Sequence, residues 1–101
     1  MWNQDYVAYD SKGRPRELQA LLDSGASHSV IGSKTVKALG YKTNGSTLLR
    51  TANGVVSFPT TVIPISVRGE RPVPMEFVIS DQSPAVIGLD AIQKFGLLKR
   101  V

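Results

Sequence analysis

The stretch ALLDSGAS, Ala20 to Ser27, sets one carboxylate at the end of an apolar run and just ahead of a turn of small residues. Leu21 and Leu22 read as the end of a buried strand, where burial opposes an unpaired charge. Ser24, Gly25, Ala26 and Ser27 offer little bulk to shield Asp23. One reading makes Asp23 a turn-former that bonds its own backbone, as Asp does at strand ends. The other makes it a catalytic carboxylate. The sequence on either side separates the two.

A chain of 101 residues is expected to form one domain, residues 1–101, with a modest core. It has no cysteine, so disulfides and thiolate metal sites are excluded. His28 is the single histidine, which argues against a histidine-rich metal centre and against a Ser-His-Asp triad. No metal site and no cofactor is expected. The net charge is +4, but the basic residues are spread along the chain in ones, twos and threes, and the aromatics do not interleave with them. That pattern describes a solvated surface and no specific nucleic-acid site. No run reaches membrane-spanning length, and MWNQDYVAYD lacks the apolar core of a signal peptide. Neither membrane association nor secretion is expected.

Apolar periodicity is mostly that of strands. Val7 to Tyr9, the turn signal DSKGRP and Glu17 to Leu22 make an opening hairpin. TLLRTANGVVSF has two β-prone arms, and Asn53-Gly54 between them reads as a two-residue hairpin turn with positive φ at Gly54. Ile63, Ile65 and Val67 alternate with polar or small residues. After a turn near Arg68-Gly69-Glu70, so do Val73, Met75, Phe77 and Ile79. Pro59, Pro64, Pro72 and Pro74 turn parts of these strands into edges or bends.

Two short helices interrupt the strands. Ser33 is placed to cap KTVKAL, which ends at Gly40; Asp90 is placed to cap AIQKF, which ends at Gly96. Asp90 and Gln93 have capping-box spacing, which makes Asp90 a cap and not a second catalytic acid. Each helix follows an apolar strand that ends near glycine, LLDSGAS in one case and AVIGLD in the other. This weak symmetry suggests two similar half-units that meet around Asp23.

Asp23-Ser24-Gly25-Ala26, preceded by ALL, resembles the Asp-Thr/Ser-Gly-Ala signature of retropepsins, the aspartic proteases of retroviruses and LTR retroelements. AVIGLDAIQKFGL, Ala85 to Leu97, is similar to that family's apolar-apolar-Gly segment and C-terminal helix. RTANGVVSF between them looks like the flap hairpin in the style of Ty3/gypsy-type elements. The resemblance runs from about Val7 to Val101. It implies an all-β, retropepsin-type half-barrel with a short C-terminal helix, active as a homodimer. The implied activity is that of an aspartic endopeptidase cutting a polyprotein bound in extended form, with pepstatin-like inhibitors as further ligands. It further implies a cytoplasmic location or one inside virus-like particles.

By resemblance, Asp23 is catalytic, and Ser24 and Gly25 brace and clear the space around the pair of aspartates. Leu21, Ala26, Ser27, His28, Val30, Ala85 and Val86 line the substrate channel, some of them doubling as core. Ala52, Asn53, Gly54 and Val55 form the flap. Leu97, Leu98, Lys99, Arg100 and Val101 build the dimer interface as a terminal strand. Two departures occur together: Ser27 stands where many retroviral enzymes have a carboxylate, and Leu89 where they have its arginine partner. Gly54 is the one glycine between Gly45 and Gly69, whereas retroviral flaps are glycine-rich. Two other readings fit the same motifs. One is a cellular retropepsin-like domain; the other is a catalytically degenerate module for dimerisation or peptide binding.

Overall fold

The structure is a computed structural model and describes residues 2–23, 25–67, 71–81 and 85–88. Along the chain run β1 (Trp2–Tyr9), β2 (Pro15–Leu22), β3 (Val30–Gly32), α1 (Ser33–Leu39), β4 (Gly45–Thr51), β5 (Gly54–Val67), β6 (Val73–Ser80) and β7 (Ala85–Ile87). The strands follow the order β1-β2-β7-β3-β6-β5-β4, and β5 also pairs with β1. Six strands therefore close into a barrel, and β4 extends from it as one arm of a hairpin. Closure removes the unpaired strand edges that a flat sheet would expose.

The opening hairpin forms as the sequence indicates, with Tyr9 opposite Pro15. Its turn is fixed by Asp10, whose Oδ1 accepts the amides of Lys12 and Arg14, each at 2.9 Å. The turn is also tied to α1, because the Ser11 amide donates to the Leu39 carbonyl (2.8 Å). Gly40 ends α1 in the left-handed region, with φ 84°, as expected for a C-terminal glycine. The start of α1 differs from expectation. Gly32 holds the cap position, Ser33 is the first helical residue, and the Ser33 hydroxyl donates to Asp81 Oδ1 (2.9 Å). A serine reached directly from a strand can spend its hydroxyl on a neighbouring strand's side chain instead of on the helix end.

The prolines break fewer strands than expected. Pro59 and Pro64 lie within the fourteen-residue β5, and Pro74 lies within β6. Pro64 and Pro74 are direct partners across the β5–β6 ladder, flanked by Ile63↔Met75 and Ile65↔Val73. Both missing donors fall at one rung, so the neighbouring rungs are kept. The core gathers Tyr6, Leu18, Leu22, Ile31, Ile63, Ile65, Met75, Phe77 and Ile87, with Val36 and Leu39 of α1 closing one side. Burial pushes the Tyr6 phenol up to about 12, so it stays neutral in the core. The expected turn at Arg68-Gly69-Glu70, the helix from Asp90 and the strand Leu97–Val101 lie outside the described residues.

Candidate active site

Asp23 follows the last residue of β2, and its amide extends the parallel β2–β7 ladder by donating to the Ile87 carbonyl (3.0 Å). The chain then turns: the Ala26 amide donates to the Asp23 carbonyl (3.1 Å), and the Gly25 amide donates to Asp23 Oδ1 (2.9 Å). One carboxylate oxygen is thus held by the backbone of its own turn. Asp23 is only half-buried, and no hydrogen bond to its Oδ2 comes from the described residues. The turn-forming reading of Asp23 is thus present in the Gly25 bond, and that same bond orients a carboxylate that stays half-buried. Gly25 has a local reason: a Cβ there would sit 3.2 Å from Asp23 Oδ1. Ser24 lies outside the described residues.

The loop after the turn rests on β7. A Cβ at buried Gly88 would stand 2.7 Å from the carbonyl oxygens of both Ala26 and His28, so the chains pass there with no room for a side chain. Ser29, fully buried, accepts the Gly88 amide on its Oγ (3.1 Å), while its carbonyl accepts the Val78 amide (2.9 Å). Sequence reasoning missed Ser29. Its one signal is a polar residue directly before the apolar Val30-Ile31. Ser27 Oγ and His28 Nδ1 lie 3.0 Å apart on the same loop, Ser27 exposed and His28 half-buried.

Register sorts the expected channel residues. Leu21 is the partner of Val86, Val86 of Val30, and Val30 of Val78, which makes one row across β2, β7, β3 and β6. Partners in a sheet share a face. The next residues along each strand, Leu22, Ile87 and Ile31, belong to the core, so this row faces the other way. Leu21, Val30 and Val86 are therefore brought together beside Asp23. Val78 joins them unannounced, because Phe77-Val78-Ile79 is an unbroken apolar run and only alternate members fit the period-two reading. Ala85, read as core or channel wall, packs in the core opposite Ala20.

In the β4–β5 hairpin, Thr51 pairs with Gly54, so the two-residue connection is Ala52-Asn53, one residue earlier than expected. Gly54 has φ 106°, and no non-glycine residue among those described has positive φ. The positive φ therefore falls on the first residue of β5 and not within the two-residue turn. Thr51 Oγ1 closes the turn by donating to the Gly54 carbonyl (2.9 Å) and accepting the Asn53 amide (3.2 Å). Thr47, Leu49 and Phe58 lie on the half-buried face of the hairpin, together with Val56. Val55 lies on the opposite, exposed face with Leu48. The dimer-interface candidates Leu97 to Val101 lie outside the described residues.

This closed barrel, with Asp23 at the end of β2 set against Val86-Ile87-Gly88, matches the fold of solved retroviral proteases. The structure superimposes on the EIAV protease complexed with the inhibitor HBY-793 at a TM-score of 0.72 and 24% identity, covering 94% of this chain and 88% of that one. It also matches the solution structure of the simian foamy virus (mac) protease at a TM-score of 0.67 and 16% identity, covering 94% and 96%. A family model described as aspartyl protease matches residues 7–91. The chain belongs to this aspartyl protease family and has a retropepsin-like fold. Among the curated proteins there is no match.

Proposed function

We propose that the chain is an aspartic endopeptidase acting as a homodimer, with one Asp23 from each copy at a shared site. The observation that carries this is the carboxylate of Asp23, half-exposed at the end of β2 and oriented by the Gly25 amide, in a chain of the aspartyl protease family. A second acid is needed, and two of the chain's other described carboxylates, Asp10 and Asp81, are engaged elsewhere. Asp10 faces Arg14 and Arg16 at the far end of β2, ~25 Å away by strand rise, and Asp81 accepts the Ser33 hydroxyl. A two-fold partner supplies the missing carboxylate most simply.

Two such carboxylates close together share one proton. The ionised one takes a proton from water as the water attacks the scissile carbonyl. The protonated one hydrogen-bonds the carbonyl oxygen as it gains charge, and a proton then passes to the leaving nitrogen. Ser24 would brace this pair. Substrate lies extended over the row formed by Leu21, Val86, Val30 and Val78, with Ala26, Ser27 and His28 along its edge. The β4–β5 hairpin closes over it, presenting Leu49 and Val56 along with the tip residues Ala52, Asn53 and Gly54, and the peptide backbone adds as a strand. A polyprotein is the proposed substrate, cut in the cytoplasm or within virus-like particles, and pepstatin-like compounds are proposed inhibitors. The test is Asp23→Asn, nearly isosteric but unable to share the proton or act as base. The variant should fold as the parent does and lose cleavage of a peptide library read by mass spectrometry. A rate near that of the parent would remove Asp23 from the chemistry.

A further inference from the structure

A groove of about 500 Å³ opens on the flank of the barrel between α1, the end of β6 and the segment leading from Gly40 into β4. Pockets of this size hold small ligands or a few side chains. The walls are apolar: Val36 from α1, Tyr41, and Ile79 from β6. They are also firmly held. The Tyr41 hydroxyl donates to the Tyr9 carbonyl, the Ser33 hydroxyl ties α1 to Asp81, and Thr61 Oγ1 donates to the Lys42 carbonyl (3.0 Å). Lys37 and Lys42 line the same groove, both exposed, and neither has an ion-pair partner among the described residues. Nearby Asp10, whose charge reaches Tyr41, already faces Arg14 and Arg16. The two lysines are thus the uncompensated charges of the groove.

We infer that this groove docks a partner polypeptide segment in which an apolar side chain is flanked by acidic ones. The apolar walls receive the hydrophobic anchor, and Lys37 and Lys42 meet carboxylates on either side of it. The charge pattern favours a peptide over the other anionic partners. Nucleic acid binding draws on a long track of cations, on the order of six to ten phosphate contacts, whereas this groove offers two. Binding to an anionic membrane likewise needs a cluster of about four to eight basic residues. None of the groove residues belongs to the Asp23 site, so the docking does not depend on cleavage. A peptide seated there touches the chain just before the β4–β5 hairpin.

The test uses the Asp23→Asn chain, so that turnover does not consume the probe. A fluorescein-labelled peptide of sequence Asp-Glu-Leu-Phe-Glu-Asp is titrated and followed by fluorescence anisotropy, beside a control with Asn and Gln in place of the acids. The acidic peptide should bind, and the control should bind about tenfold more weakly, as expected for loss of two modest ion pairs. Lys37→Glu combined with Lys42→Glu should reduce binding of the acidic peptide by at least that factor. Both lysines are exposed, so the fold should persist, with the thermal midpoint lowered by a few degrees because Lys37 lies in the last turn of α1, where an acid opposes the helix dipole. Equal binding by the double variant, no binding of the acidic peptide, or tighter lysine-dependent binding of oligouridylate or phosphatidylserine vesicles would each overturn the inference.

Discussion

The Gly88 amide donates to the fully buried Ser29 hydroxyl, and this bond fastens β7 to the loop that carries Asp23. At the same place Gly88 lies against the Ala26 and His28 carbonyls with no space for a Cβ. Gly88→Ala should therefore push the loop outward, because the obstacles are backbone atoms and cannot rotate away. The expected stability loss is ~1–3 kcal/mol, as for an overpacked core site. The expected loss of kcat/KM is on the order of a hundredfold, since the loop also sets Asp23. Urea unfolding and peptide kinetics on the same variant check both. A variant with unchanged stability and rate would mean that the loop does not depend on this close approach.

Ser29→Ala tests the other half of the contact. It leaves the Gly88 amide without its acceptor in a buried place, which costs about 1–3 kcal/mol. The Val78 amide keeps its bond to the Ser29 carbonyl, so β3 and β6 stay paired. Denaturant midpoints should fall while the slope holds. A midpoint equal to the parent's would show that another group takes up the Gly88 amide.

Much of this arrangement is legible in the sequence because period-two alternation and turn residues mark strands directly. The opening hairpin and Gly40 as the end of α1 follow from those signals. The turn of the second hairpin lies one residue earlier than Asn-Gly suggests, because a positive-φ glycine serves either inside a tight turn or, as here, at the first position of the strand that follows it. Val78 and Ser29 were obscured for a different reason. Each acts through a strand far off in sequence, Val78 beside Val30 and Ser29 beside Gly88, and no local pattern records which strands become neighbours. The continuity of β5 through Pro64 likewise depends on Pro74 opposite it.

Gly54 allows the hairpin's role to be separated from its stability. Its φ of 106° is strained for any branched residue, yet a Cβ there would meet nothing within 4 Å. Gly54→Val thus distorts the turn without a clash and should cost about 1–3 kcal/mol locally. The tip is exposed, so the strain is relieved by local fraying of the turn and the global melting temperature should fall by less than that cost implies for the whole domain. Cleavage should fall at least tenfold if the hairpin closes over peptide. Unchanged kinetics would leave it an ordinary surface hairpin.

Asp10 contributes to stability in a pH-dependent way. The Arg14 amide, above all, holds its carboxyl below the usual carboxylate range. Burial opposes this, and the Lys12 amide and the Arg14 side chain add to it. A lowered folded pKa stabilises the fold above the unfolded value, and that stabilisation disappears as pH falls through the folded one. Asp10→Asn keeps an acceptor for the turn amides but removes the charge facing Arg14 and Arg16. Its melting temperature should lie below the parent's at neutral pH, and the two should converge in acid beneath the ordinary carboxylate range. A gap that persisted unchanged into strong acid would point to lost packing and not to lost charge.

Dilution should silence the enzyme. A site built from one Asp23 per chain exists only in the dimer, and a two-fold interface uses the same surface from both partners. By resemblance to retropepsins, part of that surface would be the terminal segment GLLKRV, Gly96 to Val101. Leu97, Leu98 and Val101 are the apolar members that would pair with the partner's strand, with Lys99 and Arg100 at the wet rim. Such an arrangement would bury apolar side chains that a small core has little room to take, and would pair an edge that a single chain leaves open. Deleting Leu97 to Val101 should therefore yield a monomer, folded or partly folded, without activity and with Asp23 untouched. For the intact chain, specific activity should fall on dilution in step with the dimer fraction seen by sedimentation velocity. Fusing two copies head to tail should restore activity at concentrations where the single chains have separated, because the second copy is then held at a high effective concentration. A monomer with full specific activity at every concentration would overturn the two-chain mechanism and require a second acid within one chain.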